Sequence, residues 1–577
     1  MKIIVKRFVV VLIFLILALI VFNTAPEYDL IYKYKEGDIR VILNDMEITR
    51  NLSKLPQTAL LVDDEIMLSQ DTVDILFDKN LYYEEKYETL ITTSREHRAD
   101  LKLNSRIIKI DDKNDNLKVP PMVVKYNYSE DNRYEDSEKR NRTEEIIYIP
   151  ISALKEVYDI TIEFNDKIII TKNNSERVRL VVSEKDEIEL KHTQDSFSKN
   201  VEIITSGDYI DIFNYDETKD FTYARSYTGE LGYISKEELS AYNLKSVIKT
   251  NEKEVLPKVN IAWDYINPSA TDIGNKSERG KYEGLDVVAP TLVYLKNPNG
   301  DLRYNEDVVD SYLSWANKVD YDVWITLKNE YASKHFSLEE TSEFLNDMNH
   351  RANAINDLIK LVKDKGVKGI NIDIEWIYQK DATAFSQFIR ELSVKAKQND
   401  IIISVCVNVP DGSPDWSLCY QHKALSEYVD YLAVMTYDQY GASSNVAGPN
   451  ASLDWVITNI EKIVDRDKVD SKKVLIGIPF YSRLWKSQNL VPKASTLNMA
   501  NAKKYLQNEN SVVWLEEAGQ YYYENETSSI KIWIEENQSI TQKLKLIEKY
   551  NLGGAACWML GQETEDIWKT IEENTNY

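Results

Sequence analysis

An α/β fold centred on a (β/α)8 TIM-type barrel is predicted for residues 258–577, preceded by mostly-β modules and an N-terminal apolar helix. Three observations predict it. All eleven tryptophans fall at or after Trp263, which marks a change of composition there. From Val259 onward, short apolar runs alternate with amphipathic stretches, as expected of parallel strands covered on both faces by helices. Eight such runs share roughly 320 residues, the span of a barrel with insertions.

The chain begins with Lys2, Lys6 and Arg7 ahead of an unbroken apolar run from Phe8 to Phe22. A basic flank before such a run is the pattern of an export signal whose N-terminus stays inside. The run is short for a membrane span, and no A-x-A cleavage site follows it. Segment 1–25 therefore reads as an uncleaved anchor or a cleaved signal, with a buried terminal helix as a third reading. The first two place the rest of the chain at the extracellular face of the membrane or in the cell wall.

Residues 26–175 carry short strand-like runs at 39–43, 107–110 and 168–171. Two segments, 59–83 and 146–171, look alike, each with a short amphipathic stretch (72–77 and 151–157). Between them, 126–145 is dense in charge and Asn and reads as a solvated loop. The pattern resembles the copper-amine-oxidase-type N-terminal domain appended to bacterial surface enzymes, although no His cluster accompanies it. Residues 176–245 form a second all-β module. Its ending, Tyr223-Ala224-Arg225-Ser226-Tyr227 through Gly232-Tyr233-Ile234-Ser235, resembles a bacterial SH3-like domain. A wall contact and a plain spacer are equally open for it.

Within the barrel the candidate strands are 259–262, 287–290, 323–327, 369–375, 401–407, 431–437, 474–479 and 555–559. Amphipathic stretches at 337–365 and 384–397 fit between them. A doubly wound sheet is the alternative, but no Gly-rich phosphate fingerprint follows the first run.

Composition excludes several functions. A formal net charge of -24 argues against nucleic acid, whose phosphates demand a basic surface. Three cysteines without a C-x-x-C pair offer no zinc ribbon or redox motif. Five scattered histidines leave little for a zinc or Ser-His-Asp hydrolase, so neither metal nor cofactor is expected. A neutral sugar would be indifferent to the charge.

The chemistry concentrates in Gly369-Ile370-Asn371-Ile372-Asp373-Ile374-Glu375-Trp376. Alternation sends the three isoleucines toward the helices and Asn371, Asp373 and Glu375 into the barrel. Such a polar row is costly in a buried strand. Glu375 comes at the C-terminal end, where barrels keep their catalytic groups. Carboxylates about 6–7 Å apart along a strand share a partly desolvated site and hold a proton longer than an isolated acid would. That is what a glycosidic oxygen requires of a general acid. A buried ion pair is the structural alternative, but the strand and its immediate flank supply no cation except Lys368.

This segment resembles the D-G-x-D-x-D-x-E strand of glycoside hydrolase family 18, the chitinase-like family. Lys368 replaces the first Asp and Asn371 the second, while Asp373 and Glu375 are intact. Met435-Thr436-Tyr437-Asp438, with Gly448-Pro449 and Trp455 beyond it, is similar to the family's sixth-strand M-x-Y-D region. Gly477-Ile478-Pro479-Phe480-Tyr481-Ser482-Arg483 is similar to its seventh, and Gly553 to Gly561 to its eighth. Residues 513–523 and 530–534 resemble its small β insertion. The likeness extends to the subgroup of cell-wall and spore-cortex N-acetylglucosaminidases.

The resemblance implies retaining hydrolysis of β-1,4 bonds after N-acetylglucosamine, in peptidoglycan or chitin, with the substrate's acetamido oxygen as nucleophile. It implies Glu375 as acid and base, Asp373 as partner of the acetamido N–H, and Tyr437 as donor to the acetamido oxygen. Asn371 would anchor Asp373. Trp558 would floor the site, with Met435, Asp438 and Arg483 at the substrate. On the residues alone, core packing is the alternative for Tyr437 and Trp558, and a salt bridge for Arg483. Trp263, Trp376, Trp416 and Trp485 suit sugar stacking or core packing alike. A catalytically silent sugar-binding barrel is the rival of another class.

Overall fold

In the computed structural model, parallel pairing joins eight strands into a closed ring. They are β1 (Val259–Asp264), β2 (Val287–Leu295), β3 (Asp322–Lys328), β4 (Gly369–Asp373), β5 (Ile402–Asn408), β6 (Tyr431–Met435), β7 (Val474–Pro479) and β8 (Gly554–Trp558). Each pairs with its successor, and β8 pairs with β1. The predicted TIM-type barrel is therefore present. The structure describes residues 39–575 apart from 48–57, 78–80, 128–142, 165–166, 174, 176, 184–186, 214, 241, 243–255, 332–333, 489–490, 508–510 and 528.

Side-chain alternation sorts the strands into two cores. Ile261, Trp263, Ala289, Trp324, Cys406, Tyr431, Ala433, Leu475 and Ala556 cluster inside the ring. Ile370, Ile372 and Ile374 join the outer core with helix residues such as Leu358, Phe385 and Phe388. The inward row of β4 is thus left to Gly369, Asn371 and Asp373. Gly369 is required by its neighbour, because a Cβ there would lie 2.5 Å from Trp324 Cδ1.

Between β7 and β8 the chain forms the expected β insertion, a five-stranded antiparallel sheet. Its spatial order is Val491–Asn498, Tyr481–Gln488, Ile530–Ile534, Gln520–Asn525, Val512–Leu515.

Contacts divide the chain into two compact units, and the division does not follow the sequence boundaries. Asn80–Leu103 and Ile107–Asn116, expected within the 26–175 module, group with the barrel. They form a five-stranded antiparallel meander from Leu81–Glu84 to Lys113–Asn116. The reason is a buried charge network on barrel helices Met348–Lys365 and Ala382–Lys397. Arg351 Nη2 donates to Glu84 Oε2 and Glu391 Oε1, each at 3.0 Å. Arg98 Nη1 lies 3.2 Å from Glu391 Oε2, and Arg351 Nη1 donates to the Leu345 carbonyl at 2.6 Å. Burial alone would push the Glu391 carboxyl up, but Arg98 and Arg351 draw it below the ordinary glutamate value. Tyr87 donates to Asp347 at 2.9 Å, and the same Asp347 caps the helix that carries Arg351.

The other unit is mostly β, as expected. It holds two four-stranded sheets with short helices Gln70–Leu76 and Ile151–Val157, and a six-stranded sheet spanning Arg177–Val181 to Leu231–Ser235. The expected loop at 126–145 lies largely outside the described residues; its ends belong to strands Met122–Asn127 and Thr143–Pro150. The apolar segment 1–25 also lies outside them. Among the described residues, no helix is long and apolar enough to cross a membrane.

Candidate active site

The C-terminal ends of the barrel strands gather the polar residues singled out above. Asp373 is buried at the end of β4, and Glu375 follows it, half-buried. Their strongest electrostatic partner was missed from sequence. Lys328, the last residue of β3, pairs in register with Asp373, and its Nζ donates to Asp373 Oδ2 at 2.7 Å. The cation therefore comes from the neighbouring strand, and not from Lys368, which is exposed at the other end of β4. The expected third strand ended at 327, one residue short of the side chain that matters. Alternation through Trp324 and Thr326 points Lys328 inward.

Asn371 does not take the anchoring place expected of it. Its Oδ1 accepts from Ser404 Oγ at 2.7 Å, and its Nδ2 donates to Thr326 Oγ1 and Cys406 Sγ at 3.4 Å. It ties three strands together beneath the carboxylates. Asp373 Oδ1 is buried with no hydrogen-bond partner.

A second residue missed from sequence holds the Glu375 backbone. Asn329 Oδ1 accepts from Glu375 N at 3.1 Å, and Asn329 Nδ2 donates to the Glu375 carbonyl at 2.6 Å. This double bond extends the ladder past the last residue of β4. An isolated Asn after a strand carries no signature in sequence that would reveal it.

Burial, then the Asp373 charge, push the Glu375 carboxyl up to about 8; Lys328 pulls the other way, and Glu330 and Asp438 add to the rise. The Lys328 ammonium is raised despite burial, chiefly by Asp373 and then by Glu375. An acid that keeps its proton near neutral pH thus stands beside a carboxylate bound to a cation.

Tyr437 follows β6 and is half-buried, its ring centroid 6.4 Å from that of Tyr481. Burial raises its hydroxyl well above the ordinary tyrosine value. Gly477 makes room for it: a Cβ there would lie 3.1 Å from Tyr437 Cε1. Met435, at the end of β6, packs against the inner core with Trp558. Trp558 is half-buried, 5.8 Å from Trp263 and 5.7 Å from Lys328 Nζ. Asp438 Oδ1 accepts from Tyr481 Oη at 2.8 Å and from Arg483 Nη2 at 2.5 Å, so Arg483 is in a salt bridge.

The four tryptophans left open for stacking now separate. Trp263 and Trp485 are buried core residues. Trp376 is 42% exposed beside Glu375, with Trp416 at 5.7 Å and His335 at 5.9 Å. These rings form an aromatic wall at the barrel mouth.

Comparison with known proteins agrees with this geometry. Residues 333–563 match Glycosyl hydrolases family 18. An uncharacterized glycosylase, YvbX of Bacillus subtilis, is 27% identical over 313 residues, covering 53% of this chain and 89% of that protein. A cortical fragment-lytic enzyme of Bacillus subtilis is 22% identical, covering 52% of this chain and 72% of its own. The crystal structure of the spore cortex-lytic enzyme SleL of Bacillus megaterium superposes with a TM-score of 0.49 at 19% identity, covering 57% and 76% of the two chains. Residues 333–563 of the barrel thus match the family 18 glycosyl hydrolases, and the protein is a glycoside hydrolase.

Proposed function

We propose that this chain hydrolyses β-1,4 bonds after N-acetylglucosamine with retention, and that its polymer is peptidoglycan of the cell wall or spore cortex. The observation that carries the proposal is the placement of Glu375 beside buried Asp373 at the C-terminal end of β4, where burial pushes the Glu375 carboxyl up to about 8. In the first step Glu375 gives its proton to the glycosidic oxygen as that bond breaks. The substrate's acetamido oxygen attacks C1 and forms a cyclic oxazolinium. Asp373 would hold the acetamido N–H and stabilise the positive charge that develops there. Tyr437 would orient the acetamido oxygen, and Trp558 would lie under the sugar. Water then attacks C1 and gives a proton to Glu375, opening the ring with retained configuration.

The wall or cortex as target is supported by the cortical fragment-lytic relative, and the extracellular placement by the basic and apolar N-terminal run. The same residues would serve chitin, which is the second reading. Digesting purified peptidoglycan and chitooligosaccharides side by side, with mass spectrometry of the products, separates the two. Proton NMR of the first-formed reducing end should show the β anomer; initial α anomer would refute retention.

Two further outcomes follow from the geometry. Glu375 works as the acid in its protonated form, so kcat/KM on a neutral substrate should hold through neutrality and fall as pH rises through about 8. A fall near the ordinary glutamate value of about 4.3 would take Glu375 out of that role. Trp376→Ala should raise KM by about 3–10-fold, as expected for losing one aromatic contact, with kcat little changed. An unaltered KM would place sugar binding elsewhere.

A further inference from the structure

The orientation of Asp373 depends on one charged bond. Lys328 Nζ donates to Asp373 Oδ2 at 2.7 Å and lies 3.7 Å from Glu330 Oε2. The two paired side chains are 11% and 5% exposed, so water does little to screen them. Asn371 is committed to Thr326, Ser404 and Cys406, and gives Asp373 no hydrogen bond. Asp373 Oδ1 stays buried and unpartnered.

We propose that Lys328 is the positioning residue of this active site: by gripping Asp373 through Oδ2, it sets the orientation of the carboxylate that serves the acetamido group of the substrate. On β4 the inward neighbour of Asp373 is Asn371, which is uncharged and bonded to β3 and β5, so it does not orient the carboxylate. The role passes to the adjacent strand, where the register of β3 on β4 sets Lys328 level with Asp373. The Lys328 side chain is itself buried, its ammonium 5.7 Å from the Trp558 ring. This inference rests on the acetamido mechanism proposed above.

The surroundings of Glu375 supply a readout that simple loss of packing would leave unmoved. Glu375 is faced by Asp373 from β4, Lys328 from β3, Glu330 from the hairpin after β3, and Asp438 and Tyr437 from the segment after β6. Cys406, Cys419 and Tyr420 face it from β5 and the segment beyond. His335 lies 3.7 Å from Glu330, and Arg483 is paired to Asp438. Lys328 opposes the three carboxylates, so removing its charge should move the alkaline limb of activity to higher pH.

The test is Lys328→Met and Lys328→Arg in the full chain, assayed on a chitooligosaccharide with a fluorogenic leaving group, with melting temperature followed in parallel. Lys328→Met should lower kcat about 10²-fold, the cost typical of a misplaced catalytic group, with KM within about threefold. Its alkaline limb should move upward; the melting temperature should fall as the buried Asp373 loses its cation, so the assays are run well below the transition of each variant. Lys328→Arg should keep the wild-type limb and recover about tenfold of the lost kcat, because it restores the charge. The proposal is overturned if Lys328→Met keeps kcat within about threefold, if kcat falls with an unmoved limb, or if Arg does no better than Met. A wild-type chain that leaves every N-acetylglucosamine substrate intact overturns the proposed function as well; hydrolysis with an indifferent Lys328→Met overturns the positioning role alone.

Discussion

Glu375→Gln is expected to lower kcat by about 10²–10⁴-fold, the contribution of a positioned general acid. The substitution keeps the shape of the side chain and removes only its exchangeable acid proton. It should leave the backbone undisturbed, because Asn329 holds Glu375 through its N–H and carbonyl and not through its carboxyl. Binding should survive, so KM should change far less than kcat. The alkaline limb expected near pH 8 should vanish from whatever activity remains, since the group that titrates there is gone. Steady-state kinetics on a chitooligosaccharide, with circular dichroism as the control for folding, checks both points. Hydrolysis at the wild-type rate would move the acid role to another residue, with Glu330 the first to examine.

The second large effect concerns stability. Arg351 is fully buried and serves Glu84, Glu391 and the Leu345 carbonyl together. Arg351→Met fills much of the same volume but strands Glu84 and leaves Glu391 with Arg98 as its remaining cation. Breaking a buried pair by removing one partner typically costs about 3–5 kcal/mol, because the other charge stays desolvated. The variant should therefore unfold at clearly lower urea concentration. Amide exchange should accelerate first in the meander at 81–116, whose strand Leu81–Glu84 bears one of the stranded carboxylates. A double variant, Arg351→Met with Glu84→Gln, should regain part of the loss. An unchanged urea midpoint would mean that apolar contacts hold the meander to the barrel and the charges are incidental.

The two predictions differ in how far they were legible beforehand. Alternation in Gly369–Glu375 was enough to send the carboxylates inward and the isoleucines outward, because period-two geometry is a local property of a strand. The eight barrel strands were legible for the same reason: buried parallel strands are written as compact apolar runs. Burial of Trp263 and Trp485 against exposure of Trp376 was not legible. All three rings belong to one residue type, and only packing by neighbours far along the chain distinguishes them.

The meander at 81–116 shows the limit from another side. Its strands read correctly as strands, yet their partner helices lie some 260 residues later, as with Glu84 and Arg351, which are 267 apart. No local pattern records such a pairing, since each charged residue alone looks like surface.

What the sequence by itself determined is the barrel, its β insertion, and the pair Asp373 and Glu375 at the mouth. The barrel and the pair depend on periodicity and on residue types that a buried strand would otherwise reject, and the insertion was implied by the family resemblance. What only the tertiary structure decided is the company those carboxylates keep. Lys328 reaches Asp373 because β3 lies beside β4 in one particular register, and Asn329 clamps Glu375 because the same strand ends level with it. Register between strands some forty residues apart is set by the packing of the whole ring, so the counter-ion of the catalytic pair is a property of the fold and not of any segment of the chain.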